Sequence, residues 1–270
     1  NREMIKLNII YNKDKEDAIK IYKELLKYLK SKKKFEILDD KKLSQAEYMV
    51  VIGGDGTLLR SFKNIKNKEI KIIAINSGTL GYLTEIRKDK YKGIFENILK
   101  GKINIEERHF LTISIGEKTY NALNEVFLTK DSIKRNIISS EIYVNDKFLG
   151  KFKGDGVIIA TPTGSTAYSL SAGGPIITPE LKLFLITPIA PHNLNTRPII
   201  LSGDVKIVLT ISKPSEIGFI NIDGNTHHKI KVEDKVEICY STETLKIVIP
   251  EARNYYDVLR EKLKWGENLC

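Results

Sequence analysis

The chain has 270 residues, of which 41% are hydrophobic and 29% are charged, a composition typical of a folded globular protein. This length is enough for one large domain or two modest ones. The net charge of +10 arises largely in lysine-rich segments typical of solvated helices, and it also favours phosphate-bearing ligands. Nucleic-acid binding is not predicted, because the basic residues are not interleaved with aromatic side chains.

Cysteine usage and apolar segments indicate where the protein works. Cys239 and Cys270 form no disulfide framework and lie in no CxxC pair, which favours a reducing compartment. The first residues lack the apolar core of a signal peptide, and no stretch approaches the ~18 apolar residues of a membrane span. We therefore expect a cytoplasmic protein without a membrane partner.

The first hundred residues alternate between strand-like and helix-like segments. Residues 4–11 predict a strand, and the apolar runs 47–52 and 71–75 predict two more, each ending in a glycine-containing loop. The helix after the first strand carries one apolar stripe, formed by Ala18, Tyr22, Leu25 and Leu29. This pattern predicts an α/β domain with a parallel sheet, in which binding sites form where the strands end.

After Gly101 the predicted strands follow one another with little helix between them. They cover residues 109–115, 119–129, 137–144, 156–161, 184–189, 205–211, 217–222, 236–240 and 245–249. Short strands at this spacing predict an all-β domain, and residues 254–265 predict a terminal helix. The expected domains are an α/β domain over 1–101, a β-rich domain over 102–250 and a helical segment over 251–270.

The strongest local signal is the loop Gly53-Gly54-Asp55-Gly56-Thr57, directly after an apolar run. Glycines let the backbone approach a ligand, and a loop that leads into a helix start favours anions. A carboxylate repels phosphate, so Asp55 suggests proton acceptance, metal binding or a hydrogen bond to a hydroxyl. The alternative is a glycine turn in which Asp55 caps the helix. The loop lacks the lysine of a Walker P-loop and the third glycine of a dinucleotide fingerprint.

A second dense segment, residues 154–175, opens from a strand into a long loop of small and hydroxyl-bearing residues. Small residues allow a flat ring and a sugar to lie against the backbone, while hydroxyl groups supply hydrogen bonds. We favour a ligand site here over a plain turn-rich loop.

Two polar interruptions of apolar strands have alternative interpretations. Asn124-Glu125 lies within the predicted strand 119–129, either exposed at a sheet edge or binding the vicinal hydroxyls of a ribose. Asp223-Gly224 forms either a hairpin turn or part of a site. The histidines and cysteines lack zinc-site spacing, so no metal-ligating side chain is identified.

Together these segments resemble the NAD kinase family. The matching segments run in family order across most of the chain, at 53–59, 76–85, 124–125, 154–175, 191–198 and 223–224. The run Thr-Pro-Thr-Gly-Ser-Thr-Ala-Tyr at 161–168 is the most specific, whereas lipid kinases and phosphofructokinases carry similar glycine–aspartate loops. The resemblance implies an α/β N-terminal domain, a sandwich-like β-rich C-terminal domain that binds NAD, an active site between them and a terminal helix packed on the first domain.

The resemblance also implies an activity, the transfer of the γ-phosphoryl group of ATP, or of polyphosphate in some members, to the 2′-hydroxyl of the adenosine ribose of NAD. Asp55 matches the catalytic general base, and Mg²⁺ is the expected cation. The phosphate-binding loop is Gly53, Gly54, Gly56 and Thr57. The positions that match NAD contacts are Gly56, Tyr82, Asn124, Glu125, Lys153, Asp155, Thr163, Thr166, Ala167, Tyr168, Ser171 and Asp223.

Family members assemble as dimers or tetramers, so the resemblance also implies a homo-oligomer. Two alternatives are a lipid kinase with the same glycine loop and a non-catalytic NAD(P) sensor. A lipid kinase would not need the 161–175 segment. A protein that only binds NAD(P) would gain nothing from the Asp55 carboxylate beside phosphates.

Overall fold

A computed structural model describes residues 4–62, 65, 69–130, 137–251 and 254–265. The chain divides into two compact units. Unit 1 comprises Asn1–Glu107 and Leu245–Cys270, and unit 2 comprises Arg108–Thr244. These divisions differ from the composition boundaries near 101 and 250, because each division falls within a strand, whereas the composition boundaries lie just outside the ends of the same two strands.

Unit 1 contains a sheet with the strand order β2-β1-β3-β4-β16. The strands are β1 (Ile5–Tyr11), β2 (Phe35–Leu38), β3 (Tyr48–Gly53), β4 (Lys71–Asn76) and the last residues of β16 (Lys235–Ile249). The helices are α1 (Glu16–Lys32), α2 (Asp55–Ser61), α3 (Tyr91–Leu99) and α5 (Tyr255–Leu263). The strand pairings in this sheet are parallel, as predicted.

Burial explains why strands and helices of unit 1 could be predicted from its sequence. Strand β3 is buried along its whole length, so it appears in the sequence as an unbroken apolar run. The apolar stripe of α1 uses Ile21 where the sequence pattern suggested Tyr22. Tyr22 lies beside that stripe and stacks on Tyr11 with ring centroids 4.1 Å apart.

Unit 2 is built from antiparallel strands that form two sheets. One has the order β12-β11-β10-β7-β14-β15, and the other includes β16-β13-β8-β9, while β5 and β6 pair with each other. The strands are β5 (Asn104–Ile115), β6 (Lys118–Ala122), β7 (Glu125–Thr129), β8 (Ile138–Val144), β9 (Lys147–Gly154), β10 (Gly156–Ala160), β11 (Leu183–Ile189), β12 (Ile199–Ser202), β13 (Ile207–Ile211), β14 (Ile217–Ile222) and β15 (Thr226–Lys231), with the helix α4 (Tyr168–Ser171).

The two sheets of unit 2 share one hydrophobic core. Val126 and Val157 from the first sheet lie in the same buried cluster as Ile142 and Leu209 from the second. Such packing of two antiparallel sheets through their inner faces is a β-sandwich, which confirms the predicted class.

Two predicted strand assignments in unit 2 were wrong. The single strand 119–129 is two strands, β6 and β7, so Asn124 lies in the break and Glu125 begins β7. Strand β7 pairs with β10 on one side and β14 on the other, which rules out a sheet-edge position for Glu125. The strands 236–240 and 245–249 are one strand, β16, because the polar residues between them keep an extended backbone.

Two properties of the residues that the structure describes bear on the expected function. No helix there is both long enough and apolar enough to cross a bilayer. Nor do three or more His, Cys, Asp or Glu side chains of those residues gather into a potential metal site.

Candidate active site

The glycine loop connects the end of β3 to α2. A side chain at Gly53 is excluded, because its Cβ would lie 2.5 Å from Oγ1 of Thr57. The N-cap of α2 is Gly54, and Asp55 is the first residue of the helix. The alternative in which the Asp55 side chain caps the helix is therefore wrong, and its carboxylate is available for other partners.

The Asp55 carboxylate is held by the loop that follows β4. Oδ2 accepts a hydrogen bond from the Tyr82 N–H at 2.8 Å. Oδ1 accepts from the N–H groups of Leu83 at 3.1 Å and Thr84 at 3.0 Å, and from the Thr84 hydroxyl at 3.0 Å. Four donors fix the orientation of the carboxylate, while Oδ2 can accept a further hydrogen bond.

A second layer of contacts fixes this loop in turn. The Asn76 amide nitrogen donates to Oγ1 of Thr84 at 3.0 Å and to the carbonyl of Thr79 at 2.8 Å. A Cβ at Gly81 would lie 2.0 Å from Oδ1 of Asp55, so the loop approaches the carboxylate as closely as a backbone can. Asn76, Gly81 and Thr84 thus orient Asp55.

The sequence analysis named only Tyr82 from this loop as a site residue. Asn76, Gly81 and Thr84 fall within the segment 76–85 that resembles the family, but no role for them followed from the sequence. Burial raises the pKa of the Tyr82 phenol, and the negative charge of Asp55 raises it further. The Lys262 ammonium group lies 5.3 Å from the centroid of the Tyr82 ring.

In unit 2, Asp223 binds the break between β6 and β7. Its Oδ2 accepts from the Leu123 N–H at 2.7 Å, and its Oδ1 accepts from the N–H groups of Asn124 at 2.9 Å and Glu125 at 3.0 Å. Asp223 and Gly224 have positive φ values of 48° and 66° in the turn between β14 and β15. Asp223-Gly224 is therefore a hairpin turn, as one of the two interpretations predicted. The Asp223 carboxylate also fixes the backbone of the Asn124-Glu125 pair.

The Glu125 side chain is buried with an unsatisfied oxygen. Only 5% of the residue is exposed, and Oε2 has no hydrogen-bond partner among the described residues. Burial, reinforced by the charge of Asp223 and opposed by a hydrogen bond from the Tyr168 backbone, raises the pKa of Glu125 to about 8. A buried, unsatisfied carboxyl is costly unless a ligand completes its hydrogen bonds.

The segment 161–171 packs directly against Asn124. The Thr161 hydroxyl donates to the carbonyl of Leu123 at 2.6 Å, and the Thr161 N–H donates to the carbonyl of Asn124 at 2.9 Å. A Cβ at Gly164 would lie 2.0 Å from that same Asn124 carbonyl oxygen. Three segments singled out separately in the sequence, at 124–125, 154–175 and 223–224, are thus brought together.

The remaining residues predicted to bind NAD differ in exposure. Thr163 is buried, Thr166 and Ala167 are partly buried, and Ser171 is exposed. Tyr168 is 37% exposed, and its ring meets Phe127 edge to face at 5.0 Å. This arrangement offers a partly exposed aromatic ring beside small residues.

Asp155 and Lys153 lie where β9 passes into β10. Oδ1 of Asp155 forms an ion pair with Nζ of Lys130 at 2.5 Å, a partner that the sequence gave no means of finding. Lys153 is exposed on β9.

Sequence comparison agrees with this architecture. Residues 44–103 match the model of the ATP-NAD kinase N-terminal domain, and residues 123–249 match that of the ATP-NAD kinase C-terminal domain. A NAD kinase of Fusobacterium nucleatum is 84% identical over 267 residues, which cover 99% of this chain and 100% of that protein. A NAD kinase of Geotalea daltonii is 40% identical over 228 residues, covering 83% and 80% respectively.

Solved structures show the same fold. Yeast NADH kinase complexed with NADH matches with a TM-score of 0.90 at 23% identity, covering 100% of this chain and 90% of that one. A NAD kinase from Archaeoglobus fulgidus in complex with ATP matches with a TM-score of 0.80 at 25% identity, covering 97% and 100%.

These matches define a phosphotransferase built from an α/β unit and a β-sandwich. The chain belongs to the NAD kinase family. The predicted fold class and the predicted enzyme activity, ATP-dependent phosphorylation of NAD to NADP, are confirmed. Neither a sensor nor a lipid kinase is favoured.

Proposed function

We propose that Asp55 is the general base in the phosphorylation of the 2′-hydroxyl of the adenosine ribose of NAD. The observation that carries this proposal is the fixed carboxylate beside the glycine loop. Four hydrogen bonds hold it, three of them on Oδ1, so Oδ2 is the oxygen with room for a substrate hydroxyl. A base must be positioned within hydrogen-bond reach of the proton it removes, and this one is positioned before substrate arrives.

In the proposed reaction, the 2′-oxygen attacks the γ-phosphorus and a new P–O bond forms. The bond between the γ-phosphorus and the β–γ bridging oxygen breaks, and ADP leaves with that electron pair. The hydroxyl proton passes to Oδ2 of Asp55. Phosphoryl transfer requires mainly alignment and charge stabilisation, so the backbone of Gly53, Gly54 and Gly56, with Thr57, aligns the phosphates.

In unit 2, we assign the ribose hydroxyls to Asn124 and Glu125. A ribose hydroxyl would complete the hydrogen bonding of Oε2 of Glu125, which has no partner among the described residues. Asp223 supports this contact by fixing the backbone of the pair, since both of its carboxylate oxygens accept backbone N–H groups. The further proposed contacts to NAD are Gly56, Tyr82, Lys153, Asp155, Thr163, Thr166, Ala167, Tyr168 and Ser171.

The residues present fit a divalent cation that arrives with the donor. Mg²⁺ is commonly held by one or two carboxylates together with substrate phosphates and water. Oδ2 of Asp55 is assigned to the ribose hydroxyl, and the described residues contain no gathered set of metal-ligating side chains, so the donor's phosphates and water would hold the cation. When bound, Mg²⁺ offsets the charge of the phosphates. A cytoplasmic location and a homodimer or homotetramer complete the proposal.

An assay with NAD, ATP and Mg²⁺ tests the proposal. NADP formed is measured with an NADP-specific dehydrogenase, and the position of the new phosphate is determined by ³¹P NMR. We expect phosphorylation at the 2′ position and no transfer to diacylglycerol supplied in place of NAD. Binding of NAD without turnover would support the sensor instead and would overturn the proposal.

A further inference from the structure

The C-terminal helix α5 carries a lysine that contacts the loop holding Asp55. Nζ of Lys262 lies over the Tyr82 ring, 5.3 Å from its centroid, and both residues belong to unit 1. An ammonium group at this distance is attracted by the negative face of the aromatic ring. Tyr82 also donates its backbone N–H to Oδ2 of Asp55, so α5 reaches a residue in direct contact with the proposed base.

Helix α5 is held in place independently of this contact. A capping box closes its first turn, because the Asn254 side chain accepts from the Asp257 N–H and the Asp257 carboxylate accepts from the Asn254 N–H, both at 3.1 Å. Val258 and Leu259 are buried. Lys262 follows them by four and three residues, so its side chain leaves the helix on the same face. The cap and the buried face therefore fix the position from which Lys262 extends.

The contact is the main interaction recorded for each of the two side chains. Among the residues that the structure describes, Lys262 forms no ion pair, and the Tyr82 ring makes no contact with another aromatic ring. Tyr82 is only partly buried, so part of its ring is open to a ligand. The ammonium group therefore restricts the motion of a ring that a ligand can reach.

The backbone of the loop does not depend on the Tyr82 ring. Asp55 accepts the N–H groups of residues 82–84, and the Asn76 amide donates to Oγ1 of Thr84. Loss of the ammonium group would free the ring and leave this hydrogen-bonded backbone in place. We therefore expect a change in the binding of NAD and not in the proton transfer to Asp55.

We propose that Lys262 is a positioning residue for NAD binding, which holds the Tyr82 ring by a cation–π contact in the orientation that meets a flat ring of the dinucleotide. A ring that is already oriented loses little side-chain freedom when NAD binds, and affinity rises accordingly. This assignment rests on the contact between Tyr82 and NAD proposed above.

A double-mutant cycle tests the coupling between the two side chains. Lys262→Met removes the charge and keeps a long side chain, Tyr82→Leu removes the ring, and Lys264→Met at an exposed position just after the helix is the control. We expect Lys262→Met to raise the KM for NAD roughly three- to tenfold, with kcat and the KM for ATP unchanged. In the Tyr82→Leu background the same change should have no further effect. Lys262→Arg should restore the KM, because a guanidinium also binds an aromatic face.

Three results would overturn the assignment. They are an unchanged KM for NAD in Lys262→Met, an equal rise in that KM with and without the Tyr82 ring, and a rise in the KM for ATP, which would make Lys262 a phosphate ligand. Urea unfolding of Lys262→Met should match that of Lys264→Met, and a larger loss of stability that Lys262→Arg does not restore would show a merely structural role.

The same cycle separates this assignment from the proposed function. If Tyr82→Leu raises the KM for NAD and Lys262→Met does not, only the role of Lys262 fails. If Tyr82→Leu leaves the KM for NAD unchanged, the proposed contact of Tyr82 fails and this assignment with it. The phosphoryl transfer at Asp55 is measured independently by wild-type NADP formation.

Discussion

Two aspartates of this protein, one in each unit, accept hydrogen bonds from three consecutive backbone N–H groups. Asp55 receives them from residues 82–84, and Asp223 receives them from residues 123–125. Asp55 is only partly buried and begins α2 beside the glycine loop, whereas Asp223 is 6% exposed within a hairpin turn. The same bonding pattern therefore orients a partly exposed carboxylate beside the glycine loop in one unit and fixes a loop in the other.

The neighbours of each aspartate distinguish the roles that we propose for the two residues. Asp55 adjoins a loop whose backbone can approach phosphates. Asp223 adjoins Glu125, and its charge adds to the burial that raises the pKa of that carboxyl. We expect substitutions around Asp55 to change the rate of the reaction and substitutions at Asp223 to change stability.

Among substitutions of the residues that hold Asp55 in place, we expect Gly81→Ala to have the largest effect on kcat. The added Cβ would lie 2.0 Å from Oδ1, so the carboxylate or the loop must move. A displacement of about 1 Å at a reacting group can cost ~10²-fold, and we expect kcat to fall by that order. Gly78→Ala is the control, because no atom lies within 4 Å of its added Cβ. Normal kcat in Gly81→Ala would show that the contact is not needed.

Asp223→Ala should lower the free energy of unfolding by about 2–3 kcal/mol, because buried N–H groups lose a charged acceptor. Urea denaturation measures this, with Asp204→Ala as the control, since 84% of the Asp204 side chain is exposed. Asp55→Ala should cost less, because water can reach the donors around a partly exposed carboxylate. A larger stability loss at Asp55 than at Asp223 would reverse the comparison.

Glu125 makes stability depend on pH. Its folded-state pKa of about 8 lies above the unfolded value near 4.3, so the folded state binds more protons between those limits. The contribution is fully present below pH ~4.3 and declines as pH rises toward 8, by at most about 1.4 kcal/mol per pH unit. Glu125→Gln should remove this slope, as followed by urea unfolding at pH 5.5, 7 and 8.5. Equal slopes in the two proteins would show that the carboxyl is ionised throughout.

The smallest expected effect is that of Thr84→Val. This change removes one of the four hydrogen bonds to Asp55 and the acceptor of the Asn76 amide. A loss of about 1 kcal/mol corresponds to roughly fivefold in kcat, with the KM for NAD unchanged. Thr84→Ser should restore the rate, and Thr79→Val serves as a control on the same loop. A raised KM with normal kcat would make Thr84 a binding residue.

The parts of the fold that were predictable are those where burial is complete. Strand β3 and the glycine loop stood out because an unbroken apolar run ended in glycines. Strand β9 was missed, because most of its residues are exposed or half-buried. Its lysine, phenylalanine and glycine residues show no clear alternation of apolar and polar positions. Strand β2 was missed because it has only four residues.

The sequence allowed the carboxyl side chains of the site to be predicted, but not the hydrogen-bond donors that hold them. Asp55 and Glu125 were identifiable as carboxylates in unusual settings. The donors to Asp55 lie 27 to 29 positions away, and those to Asp223 lie 98 to 100 positions away. All of them except the Thr84 hydroxyl are backbone groups, which carry no residue-specific signal, so they can be identified only from the folded structure.

Asp55→Asn provides the most direct test of the central claim. Asparagine can keep an oxygen at the Oδ1 position, where three donors converge, so the variant should fold. Single-turnover rates with saturating ATP and Mg²⁺, together with the calorimetric Kd for NAD, separate chemistry from binding. We predict a rate about 10²–10⁴-fold lower with a nearly unchanged Kd. A rate and an affinity that fall by the same factor, or a rate that does not fall, would contradict the role of Asp55 as general base.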